Sequence, residues 1–222
     1  RDLHVRSRRQ RQMCIRDSTS TGFTVGTDTA VNANSNTYVA WNWKAGGTGA
    51  VKTYVVKVVS DSGNKYRFDD FAASAQTVDL QEGGTYTFDQ SDSSNSNHPL
   101  RFSTTSNGTH GGGSEYTTGV TTNGTPGSSG AYTKITVAAS TATLYYYCTN
   151  HSNMGGQANT NSTHGSSYFD GTIKSKVSAN QAAGFSIATW TSDGSNAGTI
   201  PHGLGVSPEI VIYKTISQVA RW

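Results

Sequence analysis

The sequence is short of charge, of cysteine and of long apolar runs. Charged residues make up 14% of its 222 positions and apolar residues 33%. No apolar stretch reaches the length needed to cross a bilayer, which excludes a membrane-spanning helix and argues against membrane insertion. No amphipathic helical repeat stands out, so a helical bundle is not expected. Catalytic signatures are missing too. No Ser/His/Asp set, HExxH run or phosphate-binding loop can be read, and Gly111–Gly113 lacks the strand–helix setting that a phosphate site needs. The chain is therefore not expected to be an enzyme.

What it has in abundance is Gly, Ser, Thr and Asn, the composition of short strands joined by many turns. The net charge of +3 is unevenly spread. Residues 1–18 hold six Arg and two Asp, a balance of +4, and the remainder holds 11 Lys and Arg against 12 Asp and Glu, a balance of −1. A basic arm of this kind can bind nucleic acid. Its run RQRQMCIRDS, however, resembles a translated sequencing adapter, and its composition differs sharply from that of residues 19–222. Residues 1–18 are expected to be non-native, and no nucleic-acid partner is expected. Cys14 falls inside that segment, which leaves Cys148 as either a metal ligand or a buried thiol.

Residues 19–48 read as the end of a β-sandwich module, with GFTVG and TYVAWNW as short strands. Alternation is denser over 49–160: VKTYVVKVVS (51–60), KYRFDD (65–70), TVDLQ (77–81), TYTFDQ (85–90), HPLRFST (98–104), AYTKITVA (131–138) and TLYYYC (143–148). Tyr66 with Phe68, Val78 with Leu80, Tyr86 with Phe88 and Leu100 with Phe102 mark one buried face per strand. This pattern predicts an all-β Greek-key β-sandwich able to fold alone over that span. Residues 105–130 read as a long polar loop and 161–182 as a linker with a short strand. GFSIATW and EIVIYKTI read as strands of a second β module, 183–222, expected to be truncated. Trp41, Trp43 and Trp190 read as core aromatics.

Chemistry concentrates in TLYYYCTNHSNMGG, residues 143–156. Cys148, His151 and Met154 offer a thiolate, an imidazole and a thioether at a spacing of three. A type 1 copper site uses two His and one Cys in a plane, with a weak axial Met. His98, which opens a strand after a polar loop, is the best placed second imidazole, so the expected tetrad is His98, Cys148, His151 and Met154. Copper fits this donor set best. Zinc is the alternative, since Cys and two His also hold Zn²⁺ with a fourth position open. A buried thiol beside a solvated loop His is the metal-free alternative. His110 and His164 read as solvated loop residues rather than ligands.

On these residues, the span 51–157 resembles a cupredoxin. LQEGGTYTF is similar to that family's strand pair before the first ligand, NHPLRFS to its first-His strand, and LYYYCTNHSNMGG to its closing Cys–His–Met loop in the short amicyanin-type spacing. The resemblance implies a type 1 copper site and electron transfer. Pro99 stands where many cupredoxins have an Asn tying the ligand loops together, and Asn150 stands where the family often has Pro. Both departures predict a looser ligand loop.

The flanks NTYVAWNWKAGG and GFSIATWTSDGSNAGTIPHGLGVSPEIVIYK resemble tail and virion structural proteins of marine bacteriophages. That resemblance implies a virion or extracellular setting, other virion or tail proteins and a host cell surface as partners, and a homo-oligomer. A secreted or periplasmic electron carrier and a metal-free scaffold are the alternative expectations.

Overall fold

The computed structural model describes residues 17–18, 23–24, 35, 50–160, 165–194 and 198–213. The chain divides into two compact units, Arg1–Trp43 and Lys44–Trp222. In the first, β1 (Asp17–Ser18) pairs antiparallel with β2 (Phe23–Thr24). TYVAWNW, with Trp41 and Trp43, lies outside the described residues, as do Cys14 and His164.

The second unit is an all-β sandwich. One sheet is built from β3 (Val51–Ser60), β4 (Asn64–Phe68), β6 (Thr85–Asp89), β8 (Val120–Asn123) and β9 (Tyr132–Thr136), in the order β4-β3-β6-β9-β8. The facing sheet is built from β5 (Val78–Asp79), β7 (Leu100–Ser103), β10 (Leu144–Cys148) and β11 (Gly156–Asn159), in the order β5-β11-β10-β7. The chain passes back and forth between the sheets in Greek-key fashion. β3 serves two neighbours: Val51–Val55 pair parallel with β6, and Val56–Ser60 pair antiparallel with β4.

Alternation decides the core. Tyr54 and Val56, Tyr66 and Phe68, and Tyr86 and Phe88 point inward from one sheet; Leu100 and Phe102, with Leu144, Tyr146 and Cys148, point inward from the other. Rings meet across the gap, Phe88 with Phe102 at 5.4 Å and Phe68 with Tyr146 at 5.1 Å, both edge to face. Among the described residues the helical content is short 3-10 turns, which agrees with the absence of an amphipathic repeat.

Four sequence expectations need correction. Residues 105–130 are not all loop, since they contain β8 and a 3-10 turn, Gly108–Gly111. Within the expected linker, 161–182, the described residues 165–182 hold β12 (Ser166–Tyr168) and β13 (Ser175–Asn180), which join β14 (Phe185–Trp190) in an antiparallel sheet, and 161–164 lie outside the described residues. Phe169, after β12, packs in the sandwich core 5.4 Å from Phe71 and 6.0 Å from Tyr54. Buried serines do the rest. The Tyr54 hydroxyl donates to Ser167 O at 2.8 Å, and Tyr86 Oη meets Ser166 Oγ at 2.6 Å. A polar strand that docks through hydroxyls has no apolar alternation to reveal it. Third, of the expected strand EIVIYKTI, residues 209–213 are exposed and carry no strand pairing among the described residues, and 214–216 lie outside them. Fourth, Trp190 is 42% exposed on β14 rather than in a core.

Candidate metal centre

Strand register brings the ligand loops together. β7 and β10 are antiparallel, with Cys148, the last residue of β10, opposite Leu100, the first of β7. The segment entering β7, with His98, therefore lies beside the segment leaving β10, with His151. The Cys148 Sγ is 3.8 Å from His98 Nδ1 and 3.8 Å from His151 Nδ1. All three donor atoms lie within 4.8 Å of one another, and the two imidazole centroids are 4.6 Å apart. Cys148 is buried, His98 half-buried and His151 exposed, so the cluster sits at the end of the sandwich with one side open to water.

The His98 backbone is fixed on several sides. Its carbonyl accepts from the Tyr66 hydroxyl and from Gln90 Nε2, each at 2.8 Å. Its N–H donates to Asn95 O at 2.8 Å, and the buried Asn95 amide in turn donates to Val56 O at 2.7 Å. Burial, and then the neighbouring His151, lower the pKa of His98 and favour the neutral imidazole a metal requires. Burial, and then Cys148 beside it, push the Tyr66 hydroxyl well up, so it stays a protonated donor.

The ligand loop is held at each step. Thr149 N–H donates to Pro99 O at 3.1 Å. Asn150 Nδ2 donates to Asn97 Oδ1 at 2.7 Å and to Asn97 O at 3.1 Å. Asn153 N–H donates to Asn107 Oδ1 at 2.7 Å, and Lys65 Nζ donates to Asn153 O. Tyr66 N–H donates to Met154 O at 2.9 Å. A Cβ at Gly155 would lie 1.7 Å from Tyr146 O, so glycine is required there. Asn150, which stands where the resemblance has Pro, itself ties the two loops.

Of the four expected ligands, the structure brings His98, Cys148 and His151 together and buries Met154 in the core cluster that contains Cys148. His110 is exposed, as expected of a loop residue, but it is not free of the site: its Nε2 lies 3.1 Å from Cys148 O. His202 Nδ1 accepts from Leu204 N–H within its own turn. The supporting residues Tyr66, Gln90, Asn95, Asn97, Asn107 and His110 carried no signal in the sequence beyond being strand or loop residues.

The donor set can be tested for fit. Metal bonds of about 2.0–2.3 Å at trigonal angles place N and S donors about 3.8 Å apart. Both S···N separations match that value. The thiol, two imidazoles and a nearby thioether suit a soft or borderline ion rather than an oxygen-seeking one.

The chain matches the model of a family described as a domain of unknown function, DUF7483, over residues 4–78 and 85–222. The match begins inside the Arg-rich segment and runs through the sandwich into the C-terminal strands. No curated protein matches the chain, and no solved structure matches it. Because the matched residues make up well over half of its length, the chain belongs to the DUF7483 family.

Proposed function

We propose that the sandwich is a copper-holding module of cupredoxin type, with His98, Cys148 and His151 as donors and Met154 as the fourth ligand. The observation behind it is the approach of two imidazole Nδ1 atoms to one buried thiol, each at 3.8 Å. When bound, copper would supply one-electron chemistry. The protein's part is to hold the donors close beforehand. Register places Cys148 at the mouth of the sandwich, Tyr66 and Gln90 fix His98, and the Asn97–Asn150 bond sets the ligand loop against it. Such preorganisation avoids the ordering cost that a flexible loop would meet on binding.

The setting we propose is a phage-type virion or tail structural or adhesion protein. It is supported by the flanking phrases, which resemble such proteins. Metal analysis tests the module directly. Protein exposed to equal copper and zinc should retain one copper per chain, and Cys148→Ser should lose it. Retention of zinc alone, or of no metal, contradicts the proposal.

A further inference from the structure

Away from the cysteine, one lysine sits between two carboxylates. Lys52 lies near the start of β3, Asp69 just after β4, and Asp170 between β12 and β13. Lys52 Nζ is 3.0 Å from Asp69 Oδ2 and 2.8 Å from Asp170 Oδ2. The Lys52 and Asp69 side chains are 11% and 7% exposed, whereas Asp170 is 48% exposed. Nζ also lies 5.4 Å from the Tyr54 ring centroid and 4.8 Å from that of Tyr168.

We propose that Lys52 and Asp69 condense into an intramolecular isopeptide bond, with Asp170 accepting the amine proton. Two features set this trio apart from an exposed ion pair. Lys52 Nζ meets Asp69 Oδ2 at 3.0 Å with both side chains largely shielded from water, so the amine is held directly against the carboxyl group. Asp69 Oδ1 accepts the Val55 N–H at 2.8 Å, a donor already aimed at an oxygen that gains negative charge during attack.

The chemistry balances without a co-reactant. Burial raises the pKa of Asp69 and favours its neutral acid. Burial works to lower Lys52, but the bond to Asp170 and the charges of both carboxylates leave it raised, so the amine must first give up a proton. Asp170 takes it. The free amine attacks Asp69 Cγ, and the C–N bond forms. The resulting oxyanion is held by the Val55 N–H. A second amine proton passes to the departing hydroxyl, the C–O bond breaks and one water leaves. The amide keeps one hydrogen, Asp170 keeps one proton, and nothing is oxidised or reduced. Fixed proximity replaces a bimolecular encounter, an advantage equivalent to about 10⁵–10⁸ M for well-aligned groups. The bond would tie the start of β3, where Lys52 lies opposite Tyr86 of β6, to the residue that follows β4.

Intact mass spectrometry of the purified full chain, with peptide mapping, tests this. The wild-type mass should be lower than the sequence mass by one water. A branched Lys52–Asp69 peptide should resist cleavage at Lys52. The deficit should vanish in Lys52→Arg and Asp69→Ala and form more slowly in Asp170→Asn. Cyclisation of Asp170 with Gly171 would also lose one water, but it leaves a linear peptide. A full wild-type mass, a linear peptide carrying the loss, or a branch at Asp170 overturns the proposal.

Discussion

Asn150, in the loop that leaves β10, donates its side-chain amide to both oxygens of Asn97, in the loop that enters β7. The two loops that carry His98 and His151 are therefore tied by an asparagine pair. Asn97 has a φ of 62°, a left-handed conformation that Asn tolerates better than most residues.

Replacing Asn150 with Ala removes that tie. Each lost bond is worth about 0.5–1.5 kcal/mol, toward the low end at an exposed position. Urea unfolding of Asn150→Ala should show a loss in this range with no change in slope, and bound copper should leave the variant faster.

Phe169→Ala tests whether the third sheet belongs to the sandwich. Phe169 is buried among Tyr54, Phe68 and Phe71. Truncating a buried Phe costs about 3–5 kcal/mol, and a linker residue would cost almost nothing. A chain ending at residue 160 should likewise be less stable than one ending at residue 190.

How far the sequence could be read depends on where apolar residues fall. VKTYVVKVVS matches β3 to the residue, and Tyr86 with Phe88 or Leu100 with Phe102 locate β6 and β7, because one face of each strand is buried against rings. β8 and β11 carry little of that signal: VTTN has no fully buried residue, and GQAN buries only Ala158. β12 is held by serine hydroxyls, which read as loop. EIVIY misleads in the opposite way, since alternation and β-branching state a propensity and only a pairing partner makes a strand. At the site, the donors stood out because soft ligands are rare in this chain. The groups that position them, Gln90, Asn95 and Asn107, are residue types common throughout its loops, and only the fold singles them out.

His110→Ala measures one such unseen contact. The lost bond to Cys148 O predicts a destabilisation of about 0.5–1.5 kcal/mol. A solvated loop residue would give no change. Thermal unfolding of the metal-free protein distinguishes the two.

Asp92 predicts a step in acid stability. The Ser94 hydroxyl, then the Ser94 N–H, hold its carboxyl below the usual range. A carboxylate lowered on folding adds stability above its unfolded value and loses it as pH falls through the folded one. Asp92→Asn should therefore be less stable than wild type at neutral pH, and the difference should disappear in strong acid. Unfolding midpoints measured down a pH series track it.

The most direct measurement is the visible spectrum of metal-free protein on addition of Cu²⁺ under non-reducing conditions. Cys148 Sγ within 3.8 Å of both imidazoles should bond the ion as a thiolate and give an intense charge-transfer band that Cys148→Ser abolishes. A colourless wild-type protein in excess Cu²⁺, or the same band in Cys148→Ser, would contradict the copper site and leave the sandwich as a metal-free scaffold.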